Sequence, residues 1–161
     1  MANLIQNTQF VAFNGFNKIF TSNVAVSLTN TLTETTVLSF TIPANTMLAN
    51  SCLDMDFLFQ TTQGNYSRLF RVYIGGTIIA TFLVQNTTSA AHRRILRNRN
   101  SQTSQVALNS TSLTPDSSGN IAGAPTVSAI DFTIDQLLTM SIQLALATDT
   151  ATINAATFLV Y

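Results

Sequence analysis

The sequence has no tryptophan, one cysteine, one histidine and three prolines, and only 9% of its residues are charged. Each shortage removes a class of protein. With no tryptophan, and with Tyr66 and Tyr73 as the mid-chain tyrosines, there are few of the aromatic faces that sugar sites usually present. Cys52 stands alone, so no intrachain disulfide framework exists. A thiol that opens an apolar run reads as a small buried hydrophobe rather than a nucleophile. The single His92 lies beside Arg93 and Arg94. Neighbouring cations disfavour imidazolium and supply no orienting carboxylate, so a Ser-His or Cys-His relay lacks its base. No GxSxG, HExxH, P-loop or dinucleotide fingerprint appears. The expectation is a protein that is not an enzyme, with no catalytic residue and no cofactor.

Charge of one sign is also missing: 7 Lys and Arg balance 7 Asp and Glu. Nucleic-acid binding wants a larger positive field, usually with interleaved aromatics, so no nucleic-acid partner is expected. No run of about 18 apolar residues is present to cross a bilayer, and no membrane partner is expected. Met1 to Thr8 shows neither a basic start nor an apolar signal core. Release by lysis of a host is one route by which such a chain could leave a cell.

What the chain does have is neutral polarity and alternation. Of 161 residues, 63 are Thr, Asn, Ser or Gln, which suits the outer faces and turns of strands. A near-neutral surface of this kind tends to associate, so occupation by partners is expected. At 17.4 kDa the chain suits one domain with a core that needs no disulfide or metal. In ETTVLSFTIPANTMLAN, residues 34–50, Thr36, Leu38, Phe40 and Ile42 fall on one face of an extended strand, and Val37, Ser39 and Thr41 on the other. Pro43 cannot donate to a ladder and marks a corner. Leu53, Met55, Phe57 and Phe59 alternate with Asp54 and Asp56 in the next run. YSRLFRVYI and TIIATFLV meet at Gly75 and Gly76, a hairpin signal, with Ile78, Ala80, Phe82 and Val84 on one face of the second arm. VSAIDFTI and LLTMSIQLAL read as a second hairpin-like pair across Asp135 and Gln136, and INAATFLVY as a terminal strand locked in a sheet. Residues 110–126 read as a long surface loop. Roughly ten strand candidates at regular spacing, with no helix, predict an all-β, antiparallel two-sheet, jelly-roll-like sandwich over residues 22–161.

Residues 1–21 differ. Phe10, Phe13, Phe16 and Phe20 recur three or four apart among Asn14, Gly15 and Asn17, which weaken a helix. An N-terminal arm is expected, docking either on its own body or on a neighbouring subunit. Arg93, Arg94, Arg97 and Arg99, with Arg68 and Arg71, gather six of the seven cations into two segments. The guanidinium fork matches carboxylates, so the four from Arg93 to Arg99 join the four phenylalanines as candidate partner-interface residues. Asp54 and Asp56 share a strand face; an arginine-paired or solvated face is the expectation there, ahead of an ion site, and no metal ligand is assigned.

TETTVLSFTIPANTMLAN, RVYIGGTIIATF, RNRNSQTSQV and SAIDFTIDQLLTMSIQLALATDTATINAATFLV together resemble a recurring jelly-roll-like module of tailed-bacteriophage virion proteins, over residues 24–161. The resemblance implies a trimeric structural domain, found as a head cement or decoration protein and on tail fibres and spikes, and it carries no catalytic residue across. With Met1 some twenty residues before the module, no room remains for a fibre shaft. The expectation is a homotrimer made in the host cytoplasm, seated on the virion surface against the major capsid protein. The rival is a receptor-binding head of a tail fibre or spike that holds host-surface glycan through loops near residues 110–126 and 60–66.

Overall fold

Strand-forming residues at every second position leave one apolar face per segment, and such faces are buried most cheaply against one another. In the computed structural model, which describes residues 11–13, 16–62, 64–108 and 124–161, two antiparallel sheets do this. The larger sheet runs β1 (Val11–Phe13), β2 (Phe16–Ser22), β12 (Thr150–Val160), β5 (Cys52–Thr61), β8 (Ser89–Asn98), β9 (Gln105–Ala107) and β10 (Thr126–Ser128), and β3 (Val26–Thr29) also pairs β12. The smaller sheet runs β4 (Thr35–Ile42), β11 (Gln136–Leu144), β6 (Arg68–Ile74) and β7 (Thr77–Val84). The protein is thus an all-β, jelly-roll-like sandwich, with no helix among the described residues.

Phenylalanines from both sheets meet in the middle. Phe20 of β2 lies flat on Phe40 of β4 at 4.3 Å, with Phe158 of β12 edge-on to both. Phe59 of β5 stacks on Phe70 of β6 at 4.0 Å, and Phe57 and Phe82 fill the space beside them. Offset and edge-on ring contacts of this kind contribute beyond the area they bury.

The arm over residues 1–21 is corrected where it is described. Residues 16–22 are strand β2, in register with β12 through Ala156 to Ser22 and Phe158 to Phe20, and this strand runs across the expected 21/22 domain boundary. Phe20 is fully buried in the protein's own core, so it is no partner-interface residue. Phe13 and Phe16 are register partners in the β1–β2 hairpin. Phe10 lies outside the described residues, as do 110–123 of the expected loop.

Bulges break the alternation at three buried places. Met140 pairs with Leu38 but the next residue, Ser141, pairs with Thr36, so Val37 is an extra residue in β4. Val37 and Leu38 both turn inward and Thr36 turns out, which corrects the strict two-face reading of residues 36–42. Ile79 plays the same part in β7, so Ile79 and Ala80 are buried while Ile78 is exposed. Ile19 does so in β2, with Ile19 and Phe20 both buried.

The Gly75–Gly76 hairpin forms as expected, with φ of 55° and 78°. A Cβ on Gly75 would run into the Gln136 side chain. The Pro43 corner is pinned from the opposite side: Asp135 Oδ1 accepts from the Ala44 amide at 2.8 Å, and the Asn45 amide donates to the Phe132 carbonyl. The second hairpin-like pair is corrected. β10 pairs β9 in the larger sheet and β11 pairs β4 and β6 in the smaller one, because Ile130 and Phe132 between them drop into the core as the chain changes sheet.

Candidate functional site

Strand β8 carries three of the six arginines, and its alternation divides them. Arg93 and Arg97 point outward with Ile95, whereas Arg94 points inward with Leu96. On the outer face of the larger sheet, β5 presents Cys52, Asp54, Asp56 and Leu58 opposite Arg97, Ile95, Arg93 and Ala91. Arg93 grips Asp54 with two donors: Nε reaches Oδ1 at 2.8 Å and Nη2 reaches Oδ2. Those contacts, and the charges of Asp54 and Asp56 behind them, hold the Arg93 guanidinium above its ordinary pKa. Asp54 and Asp56 do share a face, and Asp54 is arginine-paired. No three His, Cys, Asp or Glu side chains gather among the described residues as a metal site would need.

Further along this face Val106 of β9 lies opposite Arg97, and Val127 of β10 opposite Val106. Val127 is 60% exposed and Leu58 44%. A shallow groove of about 230 Å³ runs here between Ile95, Arg97, Val106, Leu108 and Pro125. Arg97 donates to the Cys52 sulfur at 3.0 Å, and Arg99 is exposed just past the end of β8. Neither has an acidic partner among the described residues.

The other arginines do not join this patch. Arg94, expected at the partner interface, is buried; its Nη2 donates to the Leu108 carbonyl, its Nε finds no partner, and burial pushes the guanidinium pKa down. His92 also faces inward, its ring parallel to Phe82 at 5.2 Å. Arg68 is buried at the end of the sandwich: Nη1 donates to the Gly64 and Tyr66 carbonyls, and Nη2 lies 2.8 Å from Asp149 Oδ2 at an angle poor for a hydrogen bond. Arg71 belongs to the outer face of the other sheet.

That face holds a cluster not singled out in the sequence. Glu34, the chain's sole glutamate, stands just before β4 and reaches across β11 to β6. Its Oε1 accepts from the Tyr73 hydroxyl at 2.5 Å and from Ser141 Oγ; its Oε2 accepts from Arg71 Nη1 at 2.6 Å. Burial alone would raise this carboxyl, but the bonds from Ser141 and Tyr73 and the charge of Arg71 outweigh it, and the pKa is lowered. Burial and the adjoining carboxylate raise the Tyr73 phenol in turn. The signal available beforehand was that Arg71 and Tyr73, two apart on a strand, share a face.

No family model matches the chain, and no curated protein matches it. Among solved structures it is similar to a CBM36 carbohydrate-binding module in complex with calcium and xylotriose, at 11% identity over 94% of this chain and 93% of that one, with a TM-score of 0.45. It is similar to the CBM2 module of the evolved Dit of Lactobacillus casei BL23 phage J-1, at 9% identity over 98% and 81%, TM-score 0.34. It is also similar to the infectious bursal disease virus Gt strain structure, at 11% identity over 88% of this chain and 40% of that one, TM-score 0.33. These values are too low to carry over a ligand, a partner or a role.

Proposed function

We propose that the chain is a structural virion protein of the cement or decoration type, which binds the head surface as a homotrimer against the major capsid protein and reinforces the shell. One observation carries this reading: the outer face of the larger sheet combines exposed Leu58 and Val127 with Arg97 and Arg99, cations without an acidic partner among the described residues, in a chain that is 9% charged. Such a face is complementary to a surface that sets carboxylates among apolar groups. Apolar contact there contributes about 25 cal/mol per Å² buried, and the charges set register and encounter rate. Contact acts by addition and needs no reactive group. The aromatic arm contributes less than the sequence led one to expect, since Phe20 is already committed to the core.

The test mixes the purified protein with undecorated heads and with host cells. The expected result is saturable binding to heads, weakened by salt and lowered at least tenfold by Arg97→Glu with Arg99→Glu. Binding to cells but not to heads would sink the proposal. A monomer by light scattering at micromolar concentration would remove the trimer from it.

A further inference from the structure

We propose that the groove beside Glu34, on the outer face of the smaller sheet, binds a neutral saccharide through adjacent hydroxyl groups. This site is independent of the head-binding face and does not rest on it. The groove is shallow and open to solvent, about 420 Å³, and is lined by Glu34, Thr36, Tyr73, Gly76, Thr139 and Ser141.

Its chemistry selects the ligand class. Arg71 neutralises Glu34, so the groove offers little to a free ion of either sign. A phosphate would meet the Glu34 carboxylate, and a divalent cation would find a single acidic group already bonded to three donors. A hydroxyl suits what is left, because it donates and accepts at once. Arg71 uses Nη1 on Glu34 and on Gln143 Oε1 at 2.9 Å, which leaves Nη2 and Nε, neither of them sealed from solvent, to donate. The carboxylate retains acceptor capacity beyond its three partners, and Thr36, Thr139 and Ser141 place further hydroxyls along the wall. A diol could donate from one hydroxyl to the Glu34 carboxylate in a charge-assisted bond and meet the Thr36 or Thr139 hydroxyl with its neighbour, while Arg71 holds the carboxylate from behind.

Shape agrees with this. Gly76 has no side chain, and a Cβ there would meet nothing within 4 Å, so the hairpin tip leaves the groove open on that side. Tyr73 lines the groove, so its phenol ring stands beside the polar floor. A sugar ring presents the same division, with C–H groups on one face and hydroxyls at its edge.

The experiment titrates the full-length chain with methyl glycosides of glucose, galactose, mannose, rhamnose and N-acetylglucosamine, and with cellotriose and maltotriose, while amide resonances are followed by NMR. At least one probe should shift Glu34, Tyr73, Gly76, Thr139 and Ser141 together at millimolar concentration. Glu34→Gln should lower that affinity at least tenfold. Should that variant fold poorly, Thr36→Arg, at an exposed position on the wall, should block the groove without touching the partners of Glu34. The proposal is overturned if no probe shifts these amides, if the shifts centre on another surface such as Ser27 and Thr152, if inorganic phosphate binds there instead, or if affinity survives both variants.

Discussion

The two outer faces of the sandwich each pair a carboxylate with an arginine, from adjacent strands on the larger sheet and across an intervening strand on the smaller, and they use them differently. On the larger sheet Arg93 grips Asp54 with both donors, and the Asp54 side chain is 8% exposed. On the smaller sheet Arg71 touches Glu34 through one nitrogen, and the Glu34 side chain is 32% exposed at the edge of a groove. In the first pair the carboxylate is closed off, although its arginine is 56% exposed; in the second the carboxylate is the more open partner, and Arg71 keeps donors to spare. The residue types match, so the difference lies in the hydrogen bonds left unmade. An ion pair marks a binding site when its groups remain accessible and incompletely satisfied.

The comparison breaks most severely if the layer between the faces is disturbed. Phe20→Ala removes the ring that stacks on Phe40, and a buried Phe→Ala change costs about 3–5 kcal/mol. Urea denaturation should show a loss of this size; a loss below about 1 kcal/mol would mean that β2 is an accessory to the domain and not part of its core. Arg94 offers a smaller effect of opposite sign. It sits beneath the closed face with no carboxylate partner among the described residues, and replacement of buried charge by a well-packed apolar side chain is often neutral or stabilising by about 1–4 kcal/mol. Arg94→Met should therefore hold or raise the thermal midpoint, and a clear fall would reveal a favourable role for the buried cation.

The mildest test separates the open pair by pH. The Glu34 pKa is lowered in the folded protein. Its contribution is present above the unfolded value, about 4.3, and is lost as pH falls through the lower folded value. Saccharide affinity in the groove should stay flat from neutrality to about pH 5 and fall only below the ordinary glutamate range. A decline beginning near pH 6 would point to another group.

Much of the architecture was legible because it depends on local alternation. β5 and β6 bury the residues that a period of two selects, and the paired glycines make the hairpin they signal. The bulges at Ile19, Val37 and Ile79 were not legible, since an extra residue is defined by the partner strand and not by its own neighbours. That is why Ile78 is expected inside and found exposed; Phe20 shares the spacing of Phe10, Phe13 and Phe16, and only the pairing of β2 with β12 sets it apart. Arg94 leaves the expected patch for a simpler reason: a strand sends adjacent side chains to opposite sides, so four arginines close in sequence do not share one face. Glu34, Arg71, Tyr73 and Ser141 come from three separate segments, and only the order β4-β11-β6 brings them together.

The position of β12 has a consequence for how the molecule is made. It lies between β2 and β5, so the larger sheet stays split into two open-edged halves until residues 150–160 have left the ribosome. Phe57, Phe59 and their neighbours would stand beside an unpaired β5 edge throughout synthesis, in a state prone to join other strands. Among the described strands, β12 is the one that joins those halves and closes the exposed edge of β5.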